Sequence, residues 1–353
     1  MIATIRRCGR LGKARPCARG PANEVLRSAA RNVGSRMREV LAESRAVVLT
    51  AHALALDVMT AKAVEALRRA GVRSIVLKGP SIARWLYAEG SPRPYADTDL
   101  LVSPAELESA GRALESIGYS LVIDDRISPM ADPHHLEWRH GTDGARLDLH
   151  WRLAGIRSPP ELAWQRFAAA TETTQLAGTE VEFLGVPARV LHLALHARQD
   201  VVVRAKPLED LRRGVRLLDE PCWRAAAELA AGLDATDAFA AGLRAIPEGA
   251  AMAAHLALPS ARLSTVVEMR AAGASLRSVH LQLLWCQRGR LGTARALLRV
   301  AVPPVAYMRF HSGEARVGRA GLAAAYARRL VSLVGDIVPV LRSVVRANAR
   351  PRE

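Results

Sequence analysis

Aromatic residues are scarce, at 4% of the 353 positions. A single-strand nucleic-acid binder needs ring faces interleaved with basic residues, so bases have something to stack on. This chain has no such pattern. Cysteine is rare as well: Cys8, Cys17, Cys222 and Cys286 are widely separated, and no C-x-x-C pair occurs. A disulfide framework or cysteine-bound metal is therefore not expected, and free thiols in a reducing cytoplasm are. No run of 18 apolar residues exists, so no transmembrane segment is expected. The N-terminal arm lacks the apolar core of a signal peptide. It also lacks acid: Arg6, Arg7, Arg10, Lys13, Arg15 and Arg19 all precede Glu24.

What is present is a large apolar fraction, 50%, and a formal net charge of +16. The apolar half suits a sizeable core in one large domain or two. The charge favours polyanionic partners or simply solvated arginine-rich helix faces. RNA stays open as a partner on this ground.

Residues 1–21 read as a basic disordered arm, and 22–70 as helices closed by Gly71. Residues 72–77 form a short β-branched run, the mark of a buried strand. Gly79-Pro80-Ser81 follows as a turn, with Pro80 suited to a first helical position. A strand is expected at 98–102, then a capping box at Ser103-Pro104-Ala105-Glu106 and a helix to about Gly118. Residues 119–123, 134–140, 145–151 and 180–184 read as further strands. Beyond Pro187 the pattern is almost wholly helical, with breaks near Pro221, Pro247, Pro259, Pro303 and Pro339. The fold class expected is α+β: a small mixed sheet flanked by helices (71–186), then a helical region (187–353).

Three acids stand out. Asp97 and Asp99 lie two apart at the start of one strand, so they share a face. Asp148 lies on a later strand, and His150 shares its face. Gathered carboxylates repel unless a cation sits among them, and Mg²⁺ prefers oxygen ligands. Lys78 and Gly79 end the strand just before this set. His134 and His135 are adjacent and, on a strand, face opposite ways. His192 and His196 are spaced i, i+4, which suits zinc or simple packing against the sheet. Asp210 has Arg212 and Arg213 as nearby ion-pair partners.

The ordered set resembles the polymerase-beta type of nucleotidyltransferase. Its wording resembles one branch more closely, the uncharacterised bacterial nucleotidyltransferase family. The likeness rests on Leu77-Lys-Gly79, Tyr87, Arg93-Pro-Tyr-Ala-Asp-Thr-Asp-Leu-Leu-Val102 and Asp148-Leu-His-Trp151. It extends loosely to His192-Leu-Ala-Leu-His196 and Leu208-Glu-Asp210-Leu211. Genes of that branch often neighbour peptide-modifying enzymes, including lasso-peptide pathways, which implies natural-product biosynthesis in bacteria.

The resemblance makes 71–186 a catalytic domain and implies a cytoplasmic, metal-dependent enzyme. An acceptor oxygen would attack the α-phosphorus of a nucleoside triphosphate, most simply ATP, and pyrophosphate would leave. Asp97, Asp99 and Asp148 would hold two Mg²⁺ ions, or Mn²⁺ in their place. Lys78, Gly79, Ser81 and Arg93 would hold phosphate, and His150 would support Asp148. The acceptor would be a small molecule or a peptide. Two rivals stay open: a toxin-type enzyme acting on tRNA, and a non-catalytic nucleotide- or RNA-binding module.

Overall fold

The computed structural model describes residues 44, 47–87, 93–124, 134–199, 205–259, 298 and 300–348. The expected arm at 1–21 and the first of the expected helices lie outside them. The chain divides into two compact units, Met1–Ala51 and His52–Glu353, and the sheet lies wholly in the second.

Helix α1 (Val47–Arg69) is followed by β1 (Ser74–Val76), α2 (Pro80–Leu86), β2 (Thr98–Val102) and α3 (Leu107–Ser116). Then come β3 (Tyr119–Asp124), β4 (His135–His140), β5 (Arg146–His150), α4 (Pro160–Ala168), β6 (Thr171–Leu176) and β7 (Thr179–Leu184). Helices α5 (Val186–Gln199), α6 (Ala205–Leu217), α7 (Glu220–Gly232), α8 (Thr236–Leu243) and α9 (Pro247–His255) complete the body. Further on lie α10 (Val305–His311) and α11 (Gly318–Asn348). The fold is α+β, with a helical C-terminal region as expected.

Seven strands form one sheet in the order β3-β4-β5-β2-β1-β7-β6. It is mixed: β1 runs antiparallel to β2 and parallel to β7, while β2 runs parallel to β5. The alternation of side chains divides the sheet cleanly. Val76, Leu100, Val102, Leu147 and Leu149 point to one face, where they pack with Ala63, Val64 and Leu67 of α1 and Leu114 of α3. Ile75, Leu77 and Leu101 point to the other, into a core shared with Leu191 of α5, Leu211 of α6 and Trp223 of α7. Asp99 has the parity of Leu101, so its carboxylate points to this second face, where α5 and α6 pack.

Several expectations need correction. Ser103 makes no cap hydrogen bond; Pro104–Glu106 is a 3-10 turn leading into α3. Hairpin strand β6 and helix α4 were not foreseen. The β6 sequence Thr-Glu-Thr-Thr-Gln-Leu carries little apolar signal because it is an exposed edge strand. Its turn to β7 uses Ala177 and Gly178, both at positive φ, and alanine gives no warning of that. Helix α11 runs through Pro339, where a break was expected. Proline removes one ladder hydrogen bond, and here the helix continues past it. Finally, α1 is long and apolar enough by length and composition to cross a membrane, the one such helix among the described residues. Asp57, Lys62 and Glu65 interrupt its apolar run in the sequence.

Candidate active site

The parallel pairing of β2 with β5 sets Asp99 directly beside Asp148. Both side chains, and that of His150, have the parity of the face packed by α5 and α6. Ligand atoms from Asp99, Asp148 and His150 lie within 4.8 Å of one another. Asp97 sits one residue before β2 and lines the same cavity, and Arg146 reaches its Oδ2 at 3.3 Å. The three acids marked in the sequence line one cavity, and the β2–β5 pairing sets Asp99 beside Asp148.

Asp99 is 3% exposed. Its Oδ1 meets Lys78 Nζ at 2.7 Å and His150 Nε2 at 3.2 Å. Burial pushes this carboxyl up, but the Lys78 ammonium and the His150 ring hold it well below the usual carboxylate range. Asp148 is different. Burial, then repulsion from Asp99, pushes it up to about 7. Burial also opposes the charge on Lys78, and the three acids overcome it, so its pKa is raised. His150 is lowered to about 3, mainly by burial.

Gly79 caps α2 at φ +59°, a left-handed conformation that disfavours a side chain. A Cβ there would meet the Tyr95 ring at 3.3 Å. The Tyr95 hydroxyl donates to buried Asp57 of α1 at 2.6 Å, which fixes the ring. Lys78 and Gly79 line the cavity, whereas Ser81 does not. Ser81 is fully buried, and its N–H bonds back to the Lys78 carbonyl.

Arg93 also lines the cavity, but its charge is spent within the protein. Its Nε and Nη2 grip Asp210 of α6 at 2.8 and 2.7 Å, and Asp210 also accepts from the Tyr87 hydroxyl at 2.8 Å. Asp210 thus pairs with Arg93, 117 residues away, rather than with Arg212 or Arg213, which pair with Glu209. Arg93 Nη1 is buried with no hydrogen-bond partner.

The cavity, about 250 Å³, includes residues the sequence did not mark. Glu137 faces Asp148 across the β4–β5 ladder and adds a fourth acid. Its signal was its alternation with buried Leu136 and Trp138. Lys206 enters from α6 and reaches the Pro94 carbonyl at 3.4 Å. It is the cavity-lining Lys or Arg with no ion-pair partner among the described residues. Burial, then Arg93, lowers its pKa. His134, His135 and His196 also line the cavity. His134 precedes β4, so strand alternation does not bind it, and its ring lies 4.6 Å from that of His135. Alternation therefore misled the expectation that the two face apart. His192 is buried, hydrogen-bonds the Leu77 backbone, and has its pKa lowered to about 3 by burial. It packs against the sheet; no group of three ligands that includes it forms among the described residues.

The donor set fits a hard dication. Two carboxylates side by side repel, which adds to burial in raising Asp148, and a cation relieves that repulsion. Oxygen donors suit Mg²⁺.

Among solved structures, the antibiotic-resistance factor ANT(2'')-Ia in complex with adenylyl-2''-tobramycin is similar at 16% identity and a TM-score of 0.36. The match covers 50% of this chain and 97% of that one. The lincosamide adenylyltransferase LnuA matches at 16% identity and a TM-score of 0.30, over 42% of this chain and 90% of that one. A nucleotidyltransferase-like protein from Paracoccidioides brasiliensis matches at 14% and 0.30, over 54% and 92%. No curated protein sequence matches. Residues 22–248 match the model of the uncharacterised nucleotidyltransferase family, and the chain, an enzyme of nucleotidyl transfer, belongs to it.

Proposed function

We propose that this enzyme moves a nucleoside monophosphate, AMP from ATP, onto a hydroxyl or phosphate of a small-molecule or peptide acceptor, releasing pyrophosphate. The observation that carries the reading is the pairing of Asp99 with Asp148 on neighbouring parallel strands, with Asp97 in the same cavity. A non-catalytic binding module has no use for three acids facing an anionic ligand. ATP as donor follows from the family resemblance rather than from a residue.

Asp97, Asp99 and Asp148 would hold Mg²⁺, two ions in the resemblance. When bound, the metal supplies charge neutralisation for the phosphates and for the oxygens entering and leaving phosphorus. The protein's own part is positioning and proton transfer. Lys78 and His150 fix Asp99 from two sides. Asp148, ionised once the metal is bound, would take the proton of an attacking hydroxyl, as the resemblance implies. Lys206, which has no ion-pair partner among the described residues, offers a positive charge for phosphate oxygens, with Arg93 Nη1 as a further donor. Gly79 lets the backbone turn beside them without a side chain.

Incubation with each of the four triphosphates, labelled at the α-phosphate, tests this directly. Candidate hydroxylated acceptors are added, and labelled product is sought by mass. The reading expects an acceptor heavier by one nucleotidyl group and loss of that product in Asp99→Asn. Cleavage between the β and γ phosphates instead would contradict it.

A further inference from the structure

Beyond the carboxylates, three histidine rings converge at the edge of the same cavity. His134, His135 and His150 offer ligand atoms that all lie within 4.8 Å of one another. Ring centroids are 4.6 Å apart for His134–His135, 5.3 Å for His135–His150 and 5.8 Å for His134–His150. The anchor is His150, 3% exposed. Its Nε2 lies 3.2 Å from Asp99 Oδ1. An ionised carboxylate only accepts, so Nε2 carries the proton and donates it. Nδ1 is then a lone pair, and it is buried with no hydrogen-bond partner. A proton at Nδ1 would instead leave a buried donor unsatisfied, at a cost of about 1–3 kcal/mol.

We propose that His134, His135 and His150 form a binding site for a borderline transition-metal dication such as Zn²⁺. It uses nitrogen donors alone and lies beside the carboxylate set, with which it shares His150. A carboxylate that accepts from one imidazole nitrogen, while the other faces a metal, is the usual arrangement behind metal-bound histidine. It fixes the tautomer and raises ligand basicity. Imidazole suits Zn²⁺, Cu²⁺ or Ni²⁺, whereas Mg²⁺ selects oxygen. Bringing three nitrogens to one point needs ring rotation, and the broad torsion between Cβ and an imidazole ring allows it. Three protein ligands leave a fourth position for water, the ligand count of an open zinc site.

The test uses the full chain, stripped with chelator and loaded with one equivalent of Zn²⁺. X-ray absorption on the wild type is expected to give nitrogen scatterers at about 2.0–2.1 Å with the outer-shell pattern of imidazole. Oxygen-only scattering would overturn the proposal, and this arm needs no variant to fold. Calorimetric Zn²⁺ titration then compares His134→Gln/His135→Gln with Asp97→Asn. The histidine variant should bind Zn²⁺ at least a hundredfold more weakly, and the aspartate variant within about threefold of wild type. The reverse ranking would assign the ion to the carboxylates and overturn the site. Mg²⁺ titration of the histidine variant separates this site from the proposed function: unchanged Mg²⁺ affinity is expected. A parallel loss of Mg²⁺ would show that the histidines form no separate site.

Discussion

Asp99 and Asp148 occupy paired positions on adjacent parallel strands, yet their carboxyl groups differ in their hold on a proton. Lys78 and His150 keep Asp99 ionised, while burial and Asp99 itself push Asp148 up to about 7. One acid is thus fixed as a charge, and its neighbour titrates near neutrality.

That difference has a consequence for pH. In the metal-free protein Asp148 binds its proton more tightly folded than unfolded, so the unfolded state loses it first as pH rises. The stability this gives is fully present below the ordinary carboxylate range, and it is lost as pH rises towards and through about 7. Thermal unfolding in EDTA should therefore show Tm falling between pH 5 and 8. Asp148→Asn should flatten that fall. Saturating Mg²⁺ should also flatten it, and Mg²⁺ binding at pH 6 should release a proton measurable by calorimetry in two buffers. An equal slope in wild type and Asp148→Asn would contradict this.

The buried Arg93–Asp210 pair holds the segment before β2 to α6. Removing one partner leaves the other charged and enclosed, at a cost of about 3–5 kcal/mol. Arg93→Ala and Asp210→Ala should each lower urea stability by that amount. The double variant Arg93→Met/Asp210→Leu should lose less than the sum of the single losses. Strict additivity would mean the pair does not act as a unit.

Lys206 is the exposed end of the phosphate-holding charge. Lys206→Ala should weaken triphosphate binding about tenfold, the scale of one charge-assisted hydrogen bond. Urea stability should be nearly unchanged, because Lys206 has no ion-pair partner to strand among the described residues. An unaltered triphosphate affinity would place the phosphates elsewhere.

Gly79→Ala tests the turn. Alanine held at φ 59°, ψ −114° costs about 1–3 kcal/mol, and the Tyr95 ring must also shift from its 3.3 Å approach. Stability should fall by at least that amount, and Gly79→Ala/Tyr95→Leu should recover part of it. No recovery would locate the strain in the backbone alone.

Much of this was legible in the sequence. The β2 boundaries, the turn with Pro80 at a helix start and the shared face of Asp148 and His150 all follow from short-range rules. Period-two alternation fixes a face whatever the partner strand is. What escaped detection depends on long-range contact. Asp210 has two arginines close by in sequence, yet it pairs with Arg93 because α6 packs over the segment before β2. His134 escaped alternation by lying one residue outside its strand. Edge strand β6 has no buried face to impose an apolar pattern, and Lys206 becomes a site residue only once α6 lies beside the sheet.

The central claim is that the three aspartates hold a divalent ion that in turn holds a triphosphate. Calorimetric titration of ATP, with Mg²⁺ or with EDTA, into wild type and Asp99→Asn tests it most directly. The account predicts binding only in wild type with Mg²⁺. Equal affinity in EDTA and in Mg²⁺ would contradict it.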